Sequence, residues 1–185
     1  MNKTGNYCAF YVIEPFIETN LGANLAHDFC YYNTLRMWKG QDPTFPFIDS
    51  HEKTYNVRDS SSWETLQGRL RERLRASKNI IFFLSSITVE SKALKEELDY
   101  GMGYLGLPVI VIYPDYKNKN DIANAVDIRQ QIKILWNKVP VFLKHKSEVS
   151  TIHIPMDKTV IRSALNEREF MISSTSSSAQ AYFYS

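Results

Sequence analysis

The sequence predicts a doubly wound α/β fold, in which a mainly parallel sheet carries helices on both faces. Amphipathic helical patterns fill the gaps between short apolar runs. Strands that alternate with helices form βαβ units with right-handed crossovers. A ligand site is then expected beyond the carboxyl ends of the strands. The five apolar runs are 7–13, 45–48, 80–84, 107–113 and 149–154.

Two of these runs, 80–84 and 109–113, have no polar alternation, which is typical of strands covered on both faces. Trp63, Leu66, Leu70 and Leu74 follow a spacing of three and four, which predicts a helix. Its start is predicted at a capping box formed by Ser61 and Glu64, and its end at 77–79. Further helices are expected at 25–38, 91–102, 122–136 and 158–166.

The 185 residues fit a single domain, with a core at about 7–155 and a C-terminal helix and aromatic tail, 156–185, packed on it. The serine-rich stretch 173–178 is predicted to be a flexible connection. A net charge of +2 gives no reason to expect a nucleic acid partner. The apolar runs are too short to span a membrane and no signal peptide is visible, so a cytoplasmic protein is expected. Cys8 and Cys30 are expected to be buried, and no metal site is expected because the histidines lack ligand spacing. No cofactor is expected either.

Two motifs have ordinary structural explanations. Residues 101–106 read G-x-G-x-x-G, but a predicted helix precedes them and a strand follows, the reverse of a dinucleotide-binding turn. These glycines are therefore predicted to end a helix. The arginines at 69, 71, 73 and 75 are spaced by two, which scatters them around a helix and favours a solvated surface.

A dense polar loop, 49–59, directly follows the apolar run 45–48. In a doubly wound sheet this position lies at the edge where ligands bind. The loop could surround a dinucleotide, or it could be a solvated loop that uses Asp and Asn for turns, and the residues alone leave both open. The side chains in question are Asp49, His51, Tyr55, Asn56, Arg58 and Asp59.

The second candidate begins at the serines after the run 80–84 and continues into the helix 91–102. Leu94, Leu98 and Met102 define its buried stripe, and Glu97 lies at the border of that stripe. Glu96 is about 100° further around the helix and is expected to be solvated. Spacing alone makes Glu97 a border carboxylate, which is more often structural than catalytic.

Three segments of the chain resemble a known protein family. Residues 45–86, 91–114 and 150–158 look like the TIR-like family of the Thoeris antiphage ThsB proteins, and the resemblance runs from about Tyr7 to the C-terminus. It implies a flavodoxin-like TIR fold that cleaves NAD⁺ at the nicotinamide–ribose bond. It also implies that an ADP-ribose-derived product activates a separate effector protein. Whether activation involves a homo-oligomer is left open.

TIR enzymes carry the catalytic glutamate in a pattern like S-x-W-x-x-x-E, and Ser91, Ala93 and Glu97 occupy those positions here. The resemblance thus implies that Glu97 is catalytic, with Ala93 in place of the tryptophan. A fixed carboxylate suits this chemistry because an oxocarbenium-like ribose develops as neutral nicotinamide leaves. The residues expected to bind NAD⁺ are Phe10, Tyr11, Asp49, His51, Tyr55, Asn56, Arg58, Asp59, Trp63, Ser86 and Ala93.

Two other functions are compatible with the sequence. A TIR-like scaffold could act through protein assembly without catalysis, and the absent tryptophan is the feature that favours it. A flavodoxin-like domain could also bind a nucleotide or flavin without cleaving it.

Overall fold

The computed structural model describes residues 3–11, 29–51, 62–174 and 179–184. Its strands form one sheet in the order β1-β2-β3-β4-β5, and every pair is parallel. Helices pack on both faces, so the predicted doubly wound, flavodoxin-like α/β fold is confirmed. The strands are β1 (Gly5–Ala9), β2 (Ser77–Phe83), β3 (Val109–Tyr113), β4 (Thr151–Pro155) and β5 (Ala181–Phe183).

The described part of the chain forms seven α-helices, which divide between the two faces of the sheet. Buried side chains of α2, α3, α4, α5 and α6 pack on the face that carries Tyr7. Those of α1 and α7 pack on the opposite face, which carries Cys8. The helices are α1 (Phe29–Gln41), α2 (Trp63–Arg75), α3 (Lys92–Leu98), α4 (Lys119–Ile122), α5 (Gln130–Trp136), α6 (Pro140–His145) and α7 (Lys158–Asn166).

The central strands are apolar because both of their faces are covered. All five residues of β3 are buried, and Ile80 of β2 pairs with Val109 of β3. Successive side chains alternate between the faces. Ile80 and Phe82 therefore belong to one core cluster, while Ile81 and Phe83 belong to the other. This two-sided burial explains why the prediction of β2 and β3 from unbroken apolar runs succeeded.

The run 45–48 does not form the strand that was predicted. It is an extended segment beside β1 with one isolated parallel bridge, between Asn6 and Asp49. The Asn6 backbone N–H donates to the Ile48 carbonyl at 2.6 Å, whereas the Ile48 N–H donates to the Asn6 side-chain oxygen at 2.8 Å. Because a side chain replaces the backbone acceptor, the regular ladder does not develop. The segment lies beside β1 and brings Asp49–His51, the described start of the polar loop, next to that strand.

The predicted ends of α2 need correction. Ser62, not Ser61, is the N-cap, and its side chain accepts from the Thr65 N–H. Residues 77–79 do not stop the helix; they begin β2. The Ser77 hydroxyl donates to the Arg73 carbonyl and contacts the Ser50 hydroxyl, and the Asn79 side chain accepts from Asn6. These polar residues are thus buried partners of the sheet edge.

The helix predicted at 91–102 changes geometry in its middle. Ser91 caps α3, and a π-helical segment, Asp99–Tyr104, follows directly. Gly103 allows the ring of His145 to approach, since an added Cβ would meet that ring at 2.5 Å. Gly106 has φ of +64° and ends the segment, as predicted, whereas Gly101 and Gly103 lie inside it and do not end the helix. The His145 ring lies within hydrogen-bond distance of Asp99 and Glu148, at 2.8 and 2.6 Å.

The single helix predicted at 122–136 is also wrong. The side-chain oxygen of Asn124 accepts from the N–H groups of Val126 and Asp127, which forms a turn between α4 and α5. Helix α6, which begins with Pro140, was not predicted. The helix predicted at 25–38 is observed as α1, from Phe29 onward, and extends to Gln41; residues 25–28 lie outside the described residues.

A buried polar network ties β3, β4 and α5 together. The Trp136 indole N–H donates to the Tyr113 hydroxyl at 2.7 Å. That hydroxyl therefore directs its own proton to His153 Nδ1 at 2.6 Å, and His153 Nε2–H is left to donate to Thr151 at 3.1 Å. Burial lowers the pKa of His153 to about 3, in keeping with a neutral ring. Every member of this network has a partner, as buried polar groups require.

The C-terminal region contributes to the sheet. Helix α7 has the predicted bounds, and Asp157 caps it by accepting from two backbone N–H groups. The aromatic tail contributes β5, which pairs with β4; residues 175–178 lie outside the described part. Cys8 is buried, but Cys30 is exposed, contrary to expectation. Within the described ranges, no helix combines the length and apolarity needed to cross a membrane.

Candidate functional site

Glu97 lies on the buried side of α3, where the helix contacts β1. The residue is only 8% exposed. Its Oε1 accepts a hydrogen bond of 2.8 Å from the hydroxyl of Tyr7, which is fully buried in β1. Its Oε2 is buried and has no hydrogen-bond partner among the described residues. A buried carboxyl oxygen without a partner is costly and is a common sign of a functional group.

The electrostatics of Glu97 reflect this burial. Burial raises the pKa of Glu97 to about 8, although the Tyr7 hydrogen bond and the positive charge of Arg73 both act to lower it. The pKa of Tyr7 is raised well above its usual value by burial and by the Glu97 charge, so the hydroxyl keeps its proton and remains a donor. A carboxyl group with a strongly raised pKa and one free oxygen is a candidate for catalysis.

His51 places the start of the polar loop next to this pair. Its ring centroid is 4.6 Å from that of Tyr7. Its Nε2 lies 3.3 Å from the Cys8 backbone nitrogen and 3.1 Å from the Cys8 carbonyl oxygen, so the ring occupies the edge of β1 where a strand backbone would otherwise pair. Burial lowers the pKa of His51 to about 4, so the ring is neutral near pH 7.

Asp49 is held on the other side of His51. Its Oδ2 accepts a 2.6 Å hydrogen bond from the Tyr32 hydroxyl and lies 3.8 Å from Arg36 Nε. Its Oδ1 accepts from the His51 backbone N–H at 2.8 Å. The Tyr32 ring lies 5.5 Å from both Phe10 and His51. The structure therefore brings Phe10, Asp49 and His51 together, next to the Tyr7–Glu97 pair.

The other predicted binding residues are placed as follows. Tyr11 is half-buried and follows Phe10 at the end of β1. Trp63 opens α2, and the Lys92 ammonium, on the first residue of α3, lies 4.1 Å from its ring centroid. Ala93 follows Lys92 in α3 and is half-buried. Ser86 is exposed, and its backbone N–H and carbonyl bind Asp115 and Lys138. Tyr55, Asn56, Arg58 and Asp59 lie outside the described residues.

Glu96 provides a contrast one position away on the same helix. Glu96 was expected to be solvated, but it has protein partners. Its Oε1 pairs with Arg71 Nε at 2.7 Å and its Oε2 accepts from Gln67 at 2.9 Å. Both of its oxygens thus have partners. A surface cleft of about 370 Å³ lies on that side and does not include Glu97; it is lined by Arg71, Arg75, Glu96, Asp99, Tyr100 and Tyr104.

Sequence reasoning missed two residues of the site, Tyr7 and Arg73. Tyr7 reads as one apolar residue in a strand, and only its register opposite Ile80 places its hydroxyl under α3. Arg73 reads as one member of a scattered arginine series, yet its charge acts on Glu97, Tyr7 and His51. Across the described ranges, no group of three His, Cys, Asp or Glu side chains could hold a metal ion.

The family profile described as "Thoeris protein ThsB, TIR-like domain" matches residues 7–120, which is more than half of the chain. The match begins at Tyr7, includes Glu97 and the polar loop, and ends after β3. It agrees with the fold, since the all-parallel sheet with helices on both faces is the architecture that the resemblance implied. This chain therefore belongs to the Thoeris ThsB TIR-like domain family.

Proposed function

We propose that this protein cleaves the nicotinamide–ribose bond of NAD⁺ and makes an ADP-ribose-derived signal in antiphage defence. The observation that carries the proposal is Glu97, a buried carboxyl group with one oxygen bonded to Tyr7 and no partner for the other among the described residues. Membership of the Thoeris ThsB family supports the role in defence.

The reaction requires little more than one well-placed carboxylate. Nicotinamide leaves the cationic substrate as a neutral molecule, so its departure needs no general acid. Positive charge develops on the ribose, as it does in glycoside hydrolysis. A fixed carboxylate beside that ribose stabilises the charge in a site with little water. Glu97 Oε2 is the oxygen available for this role.

Glu97 must be ionised to act, although its pKa of about 8 means that the free protein holds it mostly protonated near pH 7. The pyridinium charge of bound NAD⁺ favours the ionised form, because an opposite charge within about 4–6 Å lowers the pKa of a carboxyl group. Substrate binding thus creates the anion that the reaction uses. The closed position of Oε2 also requires neighbouring side chains to move when the ribose enters.

The aromatic wall of the pocket is assigned to Trp63. Ala93 stands where the family pattern has a tryptophan, and it lies one turn before Glu97. Trp63 from α2 lies beside the adjoining residue Lys92, so its ring can supply the missing surface from another helix. An indole face stacks well on a flat, cationic ring such as nicotinamide.

The acceptor determines which product forms. Water gives ADP-ribose, an adenine nitrogen of the same molecule gives a cyclic product, and another small molecule gives a conjugate. The proposed partners are NAD⁺ and a separate effector protein that the product activates, and no bound cofactor takes part.

The test is mass spectrometry of NAD⁺-derived products in phage-infected cells that express wild-type protein, Glu97→Gln or Glu96→Gln. Glu97→Gln keeps the size and hydrogen-bonding capacity of the side chain but removes the charge, and should abolish product. Glu96→Gln is the matched control, because Glu96 is on the same helix but engaged with Arg71 and Gln67. Equal product from wild type and Glu97→Gln, or none from wild type, would contradict the proposal.

A non-catalytic scaffold is the second candidate, and Ala93 is the observation that favours it. Plaque assays on the same three variants separate the two functions. A scaffold would keep full protection with Glu97→Gln, whereas an enzyme would lose it.

A further inference from the structure

We propose that Tyr7 is the positioning residue for Glu97: it occupies Oε1 and so makes Oε2 the oxygen that faces the substrate ribose. The inference rests on the proposed function, and it goes beyond it by assigning a role in the reaction to a residue outside the S-x-W-x-x-x-E pattern. Tyr7 acts through Glu97 and is not placed in contact with substrate.

The geometry supports a fixed hydroxyl. Tyr7 is fully buried, lies in the middle of β1 and pairs in register with Ile80. The ring of His51 lies 4.6 Å away and restricts movement of the tyrosine ring. The hydroxyl reaches Glu97 Oε1 at 2.8 Å, across 90 positions of the chain. A strand inside a packed sheet thereby fixes a carboxyl group on a helix.

The protonation states fix which group donates in this hydrogen bond. The Tyr7 hydroxyl keeps its proton, because burial and the neighbouring carboxylate raise its pKa. It therefore acts as a permanent donor to Oε1, and this charge-assisted hydrogen bond favours the ionised carboxylate. Burial acts in the opposite sense on Glu97. Tyr7 thus keeps Glu97 ionised to lower pH than burial alone would allow. At the same time it binds Oε1 and leaves Oε2 available to the substrate.

The first experiment compares the pH dependence of kcat/KM for nicotinamide release in wild type and Tyr7→Phe. The rising limb of this profile reports the ionisation of the free enzyme. We expect the rising limb of Tyr7→Phe to move to higher pH by about one unit. At pH values on this limb kcat/KM should fall about tenfold, and the difference from wild type should become small at high pH. Tyr113→Phe is the matched control: it removes a buried hydroxyl from β3 that bonds to His153, so it should leave the limb in place.

A limb that is unmoved in Tyr7→Phe, or moved equally in Tyr113→Phe, would overturn the positioning role. A uniform loss of activity at all pH values would do the same, since it would indicate a purely structural contribution.

The second experiment needs neither activity nor a Tyr7 variant. In wild-type protein labelled with carbon-13, the carboxyl Cδ of Glu97 and the ring Cζ of Tyr7 should shift with one shared midpoint, with Glu97→Gln used to assign the carboxyl signal. Independent midpoints would refute the coupling. The outcome also separates the two proposals: absence of nicotinamide release from wild type contradicts the enzyme, whereas the shared midpoint tests the Tyr7–Glu97 bond by itself.

Discussion

Replacing Glu97 by Gln should stabilise the protein at high pH while it removes activity. The folded protein holds Glu97 with a pKa of about 8, against 4.5 for the ordinary carboxyl group. A raised pKa means that the folded state binds the proton more tightly than the unfolded state. Its contribution to stability is complete below pH 4.5 and is lost as pH rises through 8.

The size of the effect follows from linkage. Each pKa unit is worth about 1.4 kcal/mol, so the wild type should lose about 4 kcal/mol between pH 5 and pH 8.5 through this group. A glutamine side chain does not titrate, so it makes no such pH-dependent contribution, and it can still accept from Tyr7. The unfolding free energy of Glu97→Gln, relative to wild type, should therefore rise by about 4 kcal/mol over that range. For a protein of this size this corresponds to a relative gain in Tm of roughly 10 °C.

The assay is urea unfolding of wild type, Glu97→Gln and Glu96→Gln at the two pH values. The buried histidines His51 and His153 have lowered pKa values, so through them the protein loses stability as pH falls. This pH dependence is opposite to that of Glu97. Comparing variants at the same pH cancels their contribution. A difference between Glu97→Gln and wild type that is the same at both pH values would refute the buried, protonated carboxyl group. Glu96→Gln should show no comparable change relative to wild type between the two pH values.

Three further outcomes are expected. Tyr113→Phe should cost about 1–3 kcal/mol of unfolding free energy, because it leaves its two buried hydrogen-bond partners unsatisfied; an unchanged urea midpoint would contradict the network. Gly103→Ala should lower Tm because the new methyl group meets the His145 ring, whereas Gly68→Ala, in open helix surface, should stabilise by about 0.5–1 kcal/mol; calorimetry showing the same sign for both would contradict this assignment. Trp63→Ala should raise KM for NAD⁺ about tenfold with a smaller change in kcat, in line with the loss of one aromatic stacking surface; an unchanged KM would exclude Trp63 from the pocket.

Strands that are buried on both faces and helices with strong periodicity could be predicted from the sequence. Strands β2 and β3 and helix α7 follow directly from such patterns. The errors occur where side chains replace backbone partners. The Asn6 side chain interrupts the ladder at the sheet edge, and Asn124 breaks the helix predicted at 122–136. These hydrogen bonds depend on tertiary position, which periodicity does not encode.

The site was predictable to a similar extent. Glu97 could be separated from Glu96 by its position on the helix, and the structure gives the two carboxyl groups different partners. Tyr7 could not be found, because its role depends on strand register across a long stretch of chain. The catalytic assignment of Glu97 stays a prediction until the variants are assayed.

The Tyr7–Glu97 bond also has a consequence for biosynthesis. Its two ends are 90 residues apart, and β1 reaches its place in the sheet only by pairing with β2. Contacts of such long range form late, since loop closure must precede them. A nascent or partly folded chain therefore exposes Glu97 to water as an ordinary carboxyl group. Under the proposed function, the capacity to cleave NAD⁺ arises only with the completed fold. Incompletely folded molecules would then not consume the cell's NAD⁺.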